Sequence, residues 1–154
     1  MTSLDETLRR VQELSARTVI LDIEPLVAYW DSSQEVLDQG VASVVAQVAA
    51  IPGVQVVCLA TNSLRHPSQV PAVEGVRIVW LAGAAKPLRT APYRKFPQPG
   101  VVIGDQVTTD GLLASRLGYV FLQYRPPLDR IPPGPWLMDR LGRLIRPLAF
   151  TRRN

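Results

Sequence analysis

Apolar residues along this chain fall into two alternating patterns. Short, uninterrupted apolar runs appear at "TVILDI" (18–23), "VQVVCLA" (54–60), "VRIVWLA" (76–82), "GVVIGD" (100–105) and "YVFLQY" (119–124). Between several of them apolar positions recur at helical spacing. Leu4, Leu8 and Val11 follow a capping box of Ser3 and Glu6. Val41, Val44, Val45 and Val48 follow a second box of Ser32 and Glu35 and end at Pro52-Gly53. A further helix runs through "TTDGLLASRLG" and stops at Gly118. The runs lack period-2 alternation, so each predicts a strand buried on both faces. Five such strands with intervening helices predict an α/β, Rossmann-like fold with a parallel five-stranded sheet and helices on both faces.

At 154 residues the chain is the length of one domain, and 47% hydrophobic with 19% charged residues is a globular composition. The organisation expected is an α/β domain over 1–125, a Pro-rich connector over 126–135 and a basic segment over 136–154. The formal charge of +4 belongs to the last part. Between Leu137 and Asn154 five arginines stand against one aspartate, and the remainder balances. Leu137, Leu141, Leu144 and Leu148 share a helical face there, which either docks on the sheet or lies on an anionic membrane surface. Aromatic residues do not interleave with these arginines, so nucleic acid is not an expected partner. The one cysteine, Cys58, excludes an intrachain disulfide and suits a reducing compartment. "MTSLDETLRR" lacks the basic-then-apolar order of a signal peptide, and no stretch of 18 apolar residues occurs. A cytoplasmic protein, possible peripheral membrane contact aside, is the expectation. The sequence does not set an oligomeric state.

The candidate chemistry lies where the strands end, because open parallel sheets bind ligands beyond their carboxyl edge. The first strand ends in Asp22-Ile23-Glu24 and the second in Thr61-Asn62-Ser63. The third is followed by Lys86, and the fourth ends in Gly104-Asp105 with Asp110 soon after. A carboxylate can attack phosphorus, and a second can help hold Mg²⁺. Thr61 and nearby amides can bind phosphoryl oxygens, and Lys86 can neutralise charge that develops on them. Receiver domains use the same residue types, but there the lysine follows the last strand. Here Lys86 precedes Asp105.

In this order the residues resemble the haloacid-dehalogenase (HAD) superfamily. Its strand-end Asp-x-Asp-x-Thr, Ser/Thr, Lys and Gly-Asp…Asp motifs correspond to "DIEPL", "TNS", "AAKP" and "GDQVTTD". The pairs Trp30-Asp31 and Lys86-Pro87, with "GDQVTTDGLLASRLG", resemble most closely its small phosphatidylglycerophosphate-phosphatase-like branch. The resemblance covers about residues 18–125. It implies a capless, Mg²⁺-dependent phosphatase with Asp22 as nucleophile, Thr61 and Asn62 binding phosphate, and Lys86 pairing with Asp22 and the phosphoryl group. Asp22, Asp105 and the main-chain carbonyl of Glu24 would hold the metal, with Asp110 orienting that shell. The implied substrate is a phosphomonoester, with a lipid head group one candidate. Two positions depart from the pattern. Glu24 stands where active members have the Asp that handles protons, and Leu26 replaces a bracing Thr. An active phosphatase and an impaired phosphate-binding or scaffold protein both stay open.

Overall fold

A computed structural model describes residues 4–124. Ser3 of the first capping box, the Pro-rich connector and the basic segment with Trp136 lie outside the described residues. The elements run α1 (Leu4–Glu13), β1 (Thr18–Asp22), α2 (Gln34–Ala49), β2 (Val56–Ala60), β3 (Arg77–Leu81) and β4 (Gly100–Gly104). A π-helical turn (Val107–Gly111), α3 (Leu112–Leu117) and β5 (Val120–Gln123) follow. All strands are parallel, in the order β3-β2-β1-β4-β5. This is the α/β, Rossmann-like architecture that the apolar runs predict.

The three central strands are buried at every position. Their side chains nevertheless alternate between two cores, since successive residues of a strand face opposite ways. Val19, Leu21, Val57, Leu59, Val101 and Ile103 pack on one face with Val11 of α1 and Leu37, Val41, Val44, Val45 and Val48 of α2. Ile20, Cys58 and Val102 pack on the other, with Leu113 and Ala114 of α3 and the aromatic rings of Tyr93, Phe96 and Tyr119. The edge strands depart from the expectation of full burial. β3 and β5 are half-exposed, because each has a paired neighbour on one side only among the described residues.

One further detail corrects the sequence reading. The cap of α2 is Ser33, whose hydroxyl accepts from the Val36 amide, while Ser32 instead accepts from the Tyr29 amide. The cap therefore sits one residue later than the box predicts, Val36 takes the third helical position, and Glu35 instead accepts from Gln39 along the helix. The chain between β3 and β4 carries no helix. Four prolines (87, 92, 97 and 99) fall within it, and proline removes the amide that a helix interior needs. This irregular segment crosses the second face and supplies Tyr93 and Phe96 to its core.

No connection among the described residues carries a cap domain. The registers set Asp22 opposite Ala60, Ala60 opposite Leu81, and Leu21 opposite Ile103. The ends of the four strands thus form one level lip. No described helix is long and apolar enough to cross a membrane.

Candidate active site

Asp22 closes β1 and is almost fully buried, as are Glu24, Thr61, Lys86 and Asp110. The Lys86 ammonium donates to Asp22 Oδ1 at 2.6 Å and to Asp110 Oδ1 at 2.7 Å. Asp22 Oδ1 also accepts from the Ile23 amide at 2.9 Å. Both bonds fall on the same oxygen, Oδ1.

Lys86 is placed by its backbone. Its amide donates to Asn62 Oδ1 at 2.8 Å, and Asn62 Nδ2 returns a bond to the Lys86 carbonyl at 3.3 Å. Asn62 therefore ties the loop after β2 to the loop after β3, where the resemblance implied phosphate binding. The Gly83 and Ala84 amides complete the seam by donating to the Ser63 and Thr61 carbonyls.

Asp110 comes to Lys86 through the π-helical turn, whose extra residue displaces the chain; such turns recur at functional sites. Its Oδ2 accepts from the Gln106 amide at 3.3 Å. Gly104 makes the approach possible, since a Cβ there would collide with the Asp110 carboxylate. Asp110 thus pairs directly with Lys86, a contact the sequence reading did not include. Asp105 follows Gly104, and its carbonyl accepts from Gln123 of β5 at 2.9 Å.

Asp22, Asp105 and Asp110 each bring a carboxylate oxygen within 4.8 Å of the others. Three hard oxygen donors so placed are a group that could hold a divalent cation. The electrostatics agree. Burial, and then the nearby Asp110 carboxylate, raise the Asp22 pKa well above its ordinary value, against the opposing pull of Lys86. Lys86 itself would be pushed down by burial, but Asp110 and Asp22 outweigh this and hold it above the usual lysine range.

The second cluster surrounds Glu24. Its Oε2 accepts from the Thr61 hydroxyl at 2.7 Å and its Oε1 from the Ser63 hydroxyl at 3.3 Å. Thr61 Oγ1 in turn accepts from the Ser63 amide at 2.9 Å. Leu26, the other departure from the family pattern, packs against the aliphatic core. The loop after Glu24 is braced by Arg65, whose guanidinium donates to the Tyr29 carbonyl at 2.9 Å and the Ser32 carbonyl at 2.8 Å.

Between the clusters lies a cleft of about 110 Å³. Of the residues expected from sequence, Asp22, Glu24, Thr61, Asn62 and Lys86 line it; Trp30, Ser63, Gln106 and Thr109 complete the wall. These last four stood inside quoted motifs without a role. Arg65 had no sequence signal, because only the folded loops bring it to the 29–32 carbonyls. His66 is exposed, as a turn residue would be. Cys58, buried under the sheet, has its thiol pushed up to about 12 by burial and is a packing group.

What fold and geometry define together is a class: a Rossmann-like α/β domain whose strand-end acids and buried lysine enclose a small polar cleft. The chain matches no protein-family model, no curated protein and no solved structure.

Proposed function

We propose that this chain is a Mg²⁺-dependent phosphomonoester hydrolase of the HAD type, acting through a phosphorylated Asp22. The observation that carries this reading is the meeting of Asp22, Lys86 and Asp110 at 2.6–2.7 Å, with Asp105 beside them, at the carboxyl lip of the sheet. Bound Mg²⁺, held by Asp22, Asp105 and the Glu24 carbonyl with Asp110 alongside, would supply positive charge to offset that of the carboxylates and the phosphoryl group.

The remaining chemistry falls to the chain. An Asp22 oxygen attacks phosphorus and forms an O–P bond as the P–O bond to the alcohol breaks. Lys86 holds Asp22 in place and offsets charge on the phosphoryl oxygens. The departing alkoxide takes one proton, from Glu24 or from water. A water molecule then attacks the same phosphorus, its proton passes to Glu24, and the O–P bond to Asp22 breaks to release phosphate and the free carboxylate. General acid/base help of this kind contributes about 10²–10⁴ in rate. The glutamate stem, longer than that of the aspartate in active members, predicts a slow enzyme.

The cleft is far smaller than the roughly 300–1,000 Å³ of pockets that enclose a drug-sized ligand. A substrate would therefore place only its phosphate head there and leave the rest outside. That favours a large or surface-held phosphomonoester, such as a lipid head group of the phosphatidylglycerophosphate kind. A second reading, a phosphate-binding or scaffold protein without turnover, draws on the bond between Glu24 and Thr61.

The test is an assay with an aryl phosphate and a lysophosphatidylglycerophosphate, with and without Mg²⁺, beside Asp22→Asn. Metal-dependent turnover that Asp22→Asn abolishes is expected. If neither wild type nor Glu24→Asp exceeds the Asp22→Asn background, the enzymatic reading is lost.

A further inference from the structure

The hydroxyl of Thr61 carries one proton, and in this structure that proton goes to Glu24 Oε2 at 2.7 Å. The one proton of the Ser63 hydroxyl lies between two acceptors, Thr61 Oγ1 at 2.9 Å and Glu24 Oε1 at 3.3 Å. A hydroxyl cannot donate to a carboxylate and to a phosphoryl oxygen at once. Thr61 and Ser63 line the cleft beside Asp22 and Lys86, and Glu24 lines it as well. The carboxyl group of Glu24 thus presents two acceptor oxygens to the donors that a phosphate would use.

We infer that Glu24 is an internal competitor for the phosphate site, holding Thr61 and Ser63 in place of a ligand and setting how weakly the cleft binds oxyanions. The inference rests on reading the cleft as a phosphate site, but it concerns affinity and not turnover. The glutamate stem is what allows it. An aspartate at this position is one methylene shorter, which draws its carboxylate back from Thr61 and weakens that bond. Substrate has to displace Glu24 from the hydroxyls before its phosphate seats. Ligands with binding surface outside the cleft can drive that exchange, whereas free phosphate has little else to offer.

The experiment is titration of inorganic phosphate, in the presence of Mg²⁺, into wild type, Glu24→Asp, Glu24→Ala, Thr61→Val and Glu24→Ala/Thr61→Val. Thermal melts of each variant report folding. A charge-assisted hydrogen bond released to the ligand predicts phosphate binding about tenfold tighter in Glu24→Ala, with Glu24→Asp in between. Loss of negative charge alone would also favour an anion, so the double variant decides the cause. Thr61→Val alone closes the cycle: competition predicts that it costs affinity in the Glu24→Ala background but little in wild type, where the hydroxyl is already held, whereas an equal cost in both backgrounds overturns the inference. Phosphate binding by Glu24→Ala that equals or falls below wild type also overturns it. If Glu24→Ala does not fold, Glu24→Asp carries the comparison, and no gain there is the overturning result. Hydrolysis by wild type without any gain in the variants would remove the competitor and leave the phosphatase. A gain without hydrolysis in any chain would do the reverse.

Discussion

On one side of the cleft a lysine joins two carboxylates, with every partner buried; on the other a carboxylate takes its bonds from two neutral hydroxyls. The two sides hold similar numbers of hydrogen bonds but respond differently to loss of a member. Removing Lys86 leaves two carboxylates facing each other away from water. Removing a hydroxyl leaves one carboxylate with its second hydroxyl partner still in place. The charged side is therefore where the fold and the chemistry depend on each other, and the hydroxyl side is where ligand affinity can change at small structural cost.

Lys86→Met tests the charged side and should have the largest effect. Breaking a buried ion pair by deleting one partner costs about 3–5 kcal/mol, measured here as the loss in a urea melt at neutral pH. The pH profile carries the sign. Asp22 holds its proton more tightly folded than unfolded, so its contribution to stability is full below its ordinary value of 3.8 and is lost as pH rises through the elevated folded value. Lys86, also raised, contributes below its ordinary 10.5 and loses that contribution as pH rises through its folded value. Wild type should therefore lose the Lys86 contribution only in strong alkali. Lys86→Met should recover stability on acidification, when protons replace the missing cation. A deficit in Lys86→Met that is the same at every pH would show that packing, and not charge, is what Lys86 supplies.

Thr61→Val tests the hydroxyl side and should cost less. The bond lost to a charged acceptor is worth about 1.5–3 kcal/mol; the Ser63 amide and hydroxyl also lose Thr61 Oγ1, but Ser63 still reaches the other oxygen of Glu24. A urea melt of Thr61→Val as unstable as Lys86→Met would erase the distinction between the two sides.

The same contrast governs what the sequence made legible. Strand ends are written in uninterrupted apolar runs, and a parallel sheet with its strands in one direction must bring those ends to one edge. Asp22, Thr61, Lys86 and Asp105 could therefore be placed near one another without coordinates. Side-chain partners could not. That Lys86 reaches Asp110 depends on a π-helical turn and on the missing side chain of Gly104, neither of which leaves a periodic trace. Glu24 turning to Thr61 and Ser63 depends on the angle at which the chain leaves β1. The shift of the α2 cap from Ser32 to Ser33 has a similar origin. Ser32 satisfies the motif with Glu35, but either serine can cap a helix, and the one that does is Ser33, whose hydroxyl accepts from the Val36 amide. Burial of β3 and β5 was overestimated because an apolar run does not say whether a strand has one neighbour or two.

The smallest effect concerns the underside of the charged cluster. Tyr93 is fully buried on the second face of the sheet, and its hydroxyl has no hydrogen-bond partner among the described residues. Burial raises its pKa, with the charges of Cys58, Lys86, Asp110 and Asp22 as further influences. A buried hydroxyl without a partner carries its desolvation cost uncompensated, about 1–3 kcal/mol for a typical polar group. Tyr93→Phe keeps the ring and its edge-on contact with Phe96, at 6.2 Å between centroids, and removes only the oxygen. Stability in a urea melt should then hold steady or rise by up to about 1 kcal/mol, since the vacated space offsets part of the gain. Because the hydroxyl makes no bond to Lys86 or its carboxylates, hydrolysis should be unchanged as well. A loss of more than about 1 kcal/mol, beyond what a neutral substitution allows, would mean that the Tyr93 hydroxyl is engaged. The charged side of the cleft would then extend through the sheet to its opposite face, and would no longer be a cluster confined to the lip.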